Sequence, residues 1–183
     1  MLNKLKTLWQ QLLGNKRQMD EMGFTGVIVA VLDGPDGRRV HKTHNIVTDA
    51  GDVFCAQKIA GEAPTNAFAN LELGSTAAPT TSKASTTSSI TKIANTEKAP
   101  SAGYPKANDN DPDNNEGGTN ITTWKYAYGK ADFNAPSITE GIIKVAAAAT
   151  GQPVFCHFAF QTGFEKTAND TLVVFYNLES KGV

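Results

Sequence analysis

Three carboxylates at alternate positions, Asp109, Asp111 and Asp113, have the spacing in this chain that most directly suggests chemistry. In a tight loop, alternate carboxylates converge oxygen ligands on a hard cation such as calcium. The pattern then departs from such a loop. Its sixth position, where a glycine turn is needed, is Asn114, and its twelfth, where a bidentate glutamate is needed, is Asn120. The stretch therefore reads as a solvated Asx/Pro loop whose carboxylates are available for contact with a partner, with no metal or other cofactor expected.

The histidines form no better constellation. His41 and His44 lie three apart on a strand pattern, which puts them on opposite faces and unsuits them for joint ligation. His157 sits among Phe155, Phe158 and Phe160 and reads as a packed or hydrogen-bonded strand residue. No serine stands in a Gly-x-Ser-x-Gly elbow and no glycine cluster forms a phosphate loop. Cys55 and Cys156, far apart in sequence, read as buried free thiols. These residues predict a protein without catalytic activity. Trp124, Tyr126 and Tyr128 alternate along one strand face and could stack on sugar rings. Alternating strand aromatics are ordinarily core, so they are expected to form an inner wall with Phe158, Phe160 and Tyr176 opposite.

One further stripe bears on binding. Leu2, Leu5, Leu8, Trp9, Leu12 and Leu13 fall at helical spacing, with Lys4, Thr7, Gln10 and Gln11 on the other side and Gly14 as a stop. A helix this short is marginal alone in water and needs a surface to pack on. It can lie on a membrane, fold back on its own domain, or dock in an apolar cleft of another subunit. The polar link 15–22 gives it reach, and docking on another subunit is the preferred expectation, with self-packing next.

The elements that must position these residues are mostly strands. Period-two runs separated by Gly, Pro, Asn and Asp predict an antiparallel β-sandwich, mainly β, with the helical arm at 1–22 and a single domain at 23–183. Phe24–Leu32 and Arg38–Val47 form a hairpin around Asp33-Gly34-Pro35-Asp36-Gly37. Thr48 or Asp49 caps a short helix over about 50–60, with Val53, Phe54, Ala56 and Ile59 expected to face inward. Further strands are expected at 67–73, from Trp124, and over 138–147, 154–160 and 171–178, with a short one near Ile90, Ile93 and Ala94. A long polar insertion occupies about 75–120. Ten of the fifteen residues from Ser75 to Ser89 are Ser or Thr, and five Asn and three Asp lie between Asn108 and Asn120.

Composition excludes several classes. With 183 residues the chain holds one β-domain with a sizeable core. A net charge of −1 disfavours nucleic acid as the main ligand. Lys4, Lys6, Lys16 and Arg17 account for four of 17 basic residues, so the rest of the chain sets 13 basic against 18 acidic, a net −5. No apolar run approaches a membrane span, and the interrupted apolar start does not read as a signal peptide.

Several short stretches resemble small virion proteins of tailed double-stranded DNA bacteriophages. These are His44-Asn45-Ile46-Val47-Thr48-Asp49-Ala50-Gly51, Leu71-Glu72-Leu73-Gly74-Ser75-Thr76-Ala77-Ala78-Pro79-Thr80, Ile138-Thr139-Glu140-Gly141, and Lys166 to Leu178 with Asp170-Thr171-Leu172-Val173-Val174. The resemblance implies a jelly-roll-like β-sandwich that stabilises a capsid shell as a decoration (cement) protein, without enzymatic chemistry. Its partner would be the major capsid protein. The implied form is a homotrimer on the virion surface, assembled in the host bacterial cytoplasm, with no nucleic acid or membrane bound. The alternative is a tail-, neck- or baseplate-associated protein that binds a host-surface glycan.

Overall fold

A computed structural model describes residues 24–180 of the chain. The leucine stripe of residues 2–13 and the whole of its polar link, 15–22, fall outside the described residues. Eight strands form one antiparallel sheet: β1 (Phe24–Gly34), β2 (Gly37–Val47), β3 (Asn70–Gly74), β4 (Lys106–Ala107), β5 (Ile121–Tyr128), β6 (Ala135–Lys144), β7 (Val154–Lys166) and β8 (Thr171–Ser180). Their order across the sheet is β3-β6-β7-β2-β1-β8-β5-β4. The strand runs read from alternation are therefore present, and the fold is mainly β. The short strand expected near Ile90 is instead a single bridge between Lys92 and Gly74.

The hairpin forms as its turn residues dictate. Gly34 pairs with Gly37 across Pro35-Asp36, and Gly37 has φ +94, a conformation a side chain disfavours. Thr48 caps the one α-helix among the described residues, α1 (Asp49–Ile59), accepting from the amide of Gly51. The inward face differs from expectation. Gly51 and Cys55 are its buried residues, whereas Val53 and Ile59 point outward at 54% and 76% exposure. The reason is close approach: a Cβ on Gly51 would lie 2.2 Å from the carbonyl oxygen of Phe155, so the helix seats on β7 through its glycine.

The sheet curls around a single large core. Ile28, Ala30 and Leu32 of β1, Trp124, Tyr126 and Tyr128 of β5, Phe155, Phe158 and Phe160 of β7, and Tyr176 of β8 all belong to it. The expected aromatic wall is present, with one adjustment: Tyr176 stands beside Trp124 on the adjacent strand, rings 5.2 Å apart, instead of across from it. The sheet's two end strands do not pair with each other. The coil between Thr96 and Ser101 instead joins one end strand, β3, to β5, the neighbour of the other. Lys98 exchanges both backbone bonds with Leu71 of β3, and the Ser101 amide donates to Lys125 O of β5. The hydroxyls of Tyr126 and Tyr128 reinforce the seam, donating to Ala69 O and Thr96 O at 2.7 Å each. The β3 edge, which would otherwise invite pairing with another chain, is thus covered.

The polar insertion is ordered, and it is used to bury the sheet's outer faces. Val29, Val31 and Phe175 form one outer apolar patch, and Ile142 and Val154 form another with Ile90 of the insertion. This explains why β1 reads as an unbroken apolar run from Val27 to Leu32: both of its faces are covered. The Ser/Thr-rich insertion contributes to the buried interior for a specific reason. Ser85, Thr87 and Thr96 are buried at 5%, 0% and 0% exposure because each hydroxyl finds a partner.

Candidate functional site

Three features of the described residues have the geometry to do something, and each is built by a different piece of the insertion or the helix. The first is a hydrogen-bonded chain on the outer face of β6 and β7. Glu140 on β6 and His157 on β7 project from that face toward the Ser/Thr-rich coil. His157 Nε2 lies 2.9 Å from Glu140 Oε2, and Nδ1 lies 2.9 Å from Ser85 Oγ. Glu140 Oε1 also accepts from the Thr76 amide at 3.2 Å, and Ser85 Oγ from the Ser82 amide at 3.1 Å. In the tautomer with its proton on Nε2, the ring donates to the carboxylate and accepts from the serine hydroxyl. Burial alone would raise the Glu140 carboxyl, but the bonds from His157 and Thr76 outweigh it and hold the group below its ordinary value.

A serine, an imidazole and a carboxylate in sequence form the connectivity that activates a hydroxyl nucleophile. Burial decides what this one does in the conformation seen. Glu140 and His157 have no exposed surface and Ser85 has 5%, so an external carbonyl has no path to Oγ. The chain of bonds instead staples residues 75–91 to the sheet. The reading of His157 as a hydrogen-bonded strand residue is correct, although neither Ser85 nor Glu140 was singled out with it. A buried Glu in the run Ile138-Thr139-Glu140-Gly141-Ile142 was the available signal, since a carboxylate placed among apolar strand residues requires partners.

The second feature is the Asp/Asn loop. It crosses the outer face of the four strands β2, β1, β8 and β5. Asp113 pairs with Arg38 and Glu116 with Lys42, both on β2, while Asp111 pairs with Lys125 on β5 at 2.6 Å. Asp109 is fully enclosed and takes Lys106 at 2.8 Å, the Tyr104 hydroxyl and the Asn114 amide. Asn114 and Asn177 of β8 exchange side-chain bonds at 2.8 and 3.0 Å beneath it. Burial pushes Asp109 and Asp111 up, but these donors prevail and both sit below the usual carboxylate range. The three aspartates thus do not converge. Each points to a different cation, and among the described residues no group of three or more His, Cys, Asp or Glu side chains is placed to hold a metal. The loop is a clamp over the Val29–Val31–Phe175 patch, with the Lys125 ammonium 5.3 Å from the Phe175 ring.

The third feature is an apolar groove of about 270 Å³ at one end of the curled sheet. Phe24, Trp124 and Leu178 form its floor from three strands, Pro105 and Thr122 one rim, and Phe54, Cys55, Lys58 and Ile59 of α1 the other. Phe54 stacks edge-on against Phe155 and Phe68 behind it, fixing the wall. Nothing among the described residues covers Ile59, the most exposed large apolar side chain of the domain.

The remaining candidates resolve simply. His41 lies flat on Phe164, ring centroids 4.1 Å apart, and His44 is exposed on the other face of β2, so the two do not share a site. Cys55 and Cys156 are free and buried, and burial pushes their thiols up to about 11 and about 12. Among the described residues no helix is long and apolar enough to cross a membrane. No family model matches the chain, and no curated protein or solved structure is similar enough to it to carry an argument.

Proposed function

We propose that this chain is a non-enzymatic virion structural protein that binds a capsid shell as a decoration (cement) protein. The residues that resemble phage virion proteins bring the idea, and a property of the folded domain supports it. The polar insertion is locked down by bonds to the sheet on both outer faces, which makes a stiff body, while one apolar groove stays open beside Phe24, where the described residues begin. A rigid body with an apolar tether suits adhesion between neighbouring subunits better than turnover of a small substrate. On this reading the partner is the major capsid protein, the arm residues Leu2, Leu5, Leu8, Trp9, Leu12 and Leu13 contribute the anchor, and threefold positions of the shell favour a homotrimer. The finer description of the curled sheet as a rolled, jelly-roll-like sandwich belongs to the same reading. The nested pairs β1 with β8, β3 with β6 and β2 with β7 support it.

Fully burying a large apolar side chain gains about 1.5–3 kcal/mol, offset by ordering the arm, and repetition over a shell makes a modest net affinity effective. The glycan-binding alternative needs an exposed aromatic platform. Trp124, Tyr126 and Tyr128 are at most 7% exposed, so the shell reading is preferred. The test is decoration of undecorated phage shells by the full chain and by a variant lacking residues 2–13. Loss of binding in the truncated chain supports the anchoring role, and unchanged binding refutes it.

A further inference from the structure

We infer that the open groove beside α1 is the docking site for residues 2–13 of the same chain. The inference needs only the groove and the stripe, and it stands or falls independently of any shell. Three observations converge on it. The groove's floor includes Phe24, the first described residue, so the 23 residues that precede it are tethered at the groove itself. At about 3.3–3.6 Å per residue, residues 14–23 reach every part of that surface and leave room to turn back. A tether this short holds its cargo at an effective concentration in the millimolar range, which favours the same chain over a second copy.

The chemistry of the two surfaces also matches. The groove is lined by Phe24, Phe54, Trp124 and Leu178, with Ile59 standing 76% exposed on its rim, an arrangement costly to leave in water. The preceding segment carries the apolar stripe of Leu2, Leu5, Trp9 and Leu12 at the i, i+3, i+7, i+10 spacing that lays one helical face into a cleft. A groove of about 270 Å³ lies just below the usual range of small-molecule clefts, about 300–1,000 Å³. It therefore accepts a few side chains and not a whole helix. Trp9 is assigned to the slot beside Trp124, with Leu5 and Leu12 on the Ile59 ridge and the Thr122 hydroxyl available to the indole N–H. Lys4, opposite the stripe, stays on the solvent side, away from the like-charged Lys58 on the rim.

The chain has only two tryptophans, Trp9 and Trp124, which makes a direct test available. Full-length protein carrying fluorotryptophan gives two fluorine resonances, assigned with Trp9→Phe. The expected result is a Trp9 resonance displaced from the free position and protected from a soluble quencher, at every protein concentration. Ile59→Glu should return it to the free position, as should Leu12→Glu, which lies outside the described domain and leaves that domain's packing untouched. Val40→Glu, 56% exposed on β2 and away from the groove, should leave it protected. A Trp9 resonance at the free position in the parent overturns the inference, as does protection that survives both groove and arm variants. Protection lost on dilution also overturns it, because the occupant would then be a second copy.

Discussion

Replacing Glu140 by Ala removes the acceptor for His157 Nε2 at 2.9 Å, in a buried bond, and for the Thr76 amide at 3.2 Å, in a part-buried one. Hydrogen bonds to a charged group contribute about 1.5–3 kcal/mol each, so losing the two sets a cost of about 4 kcal/mol. For a chain of this length that lowers Tm by on the order of 10 °C. Ser85→Ala, which leaves His157 Nδ1 without its partner, should cost about 1–3 kcal/mol. Because both changes act through His157, the double variant should depart from additivity by about 0.5–3 kcal/mol. Urea unfolding measures the energies, and hydrogen exchange locates them. The Ser75 and Thr87 amides, bonded to Thr91 O and Gln152 O, should lose protection first. Acid adds a signed check. Glu140 is held below its ordinary 4.5, so its contribution is present above that value and is lost as pH falls through the lower folded one. Glu140→Gln should remove that part of the acid destabilisation. Additive single variants, or a cost under about 1 kcal/mol for Glu140→Ala, would refute the staple.

Four other outcomes follow from the same geometry. Asn114→Ala breaks the paired bonds to Asn177 and the bond to Asp109. It should cost about 2 kcal/mol and expose amides of the 108–118 loop to exchange while the sheet stays protected. Added calcium should leave Tm unchanged, since Asp109, Asp111 and Asp113 are each engaged by a different partner; a rise of several degrees in a calcium titration would contradict the clamp. Gly51→Ala gains about 0.5–1 kcal/mol of helix propensity, but its Cβ would meet Phe155 O at 2.2 Å, so the net effect should be destabilising by about 1–3 kcal/mol in thermal unfolding. Thiol reagents at pH 8 should leave Cys55 and Cys156 unreacted until the protein unfolds, because burial holds both thiols protonated.

Alternation, turn residues and the Thr48 cap determined the strands, the hairpin and α1, because these depend on side-chain period and local backbone chemistry. Trp124, Tyr126 and Tyr128 were legible as core for the same reason. What residues 75–120 do was decided only in three dimensions. Their hydroxyls and carboxylates find partners such as His157, Arg38 and Lys125 that lie between 14 and 75 residues away. A polar stretch becomes ordered when distant strands present matching donors and acceptors, and no local pattern encodes that match. The outward face of α1 was misjudged because the approach of Gly51 to the β7 backbone, invisible to periodicity, sets the helix rotation. The groove exists for a related reason: Phe24, Trp124, Leu178 and Ile59 come from four separate elements, and only the curl of the sheet brings them together.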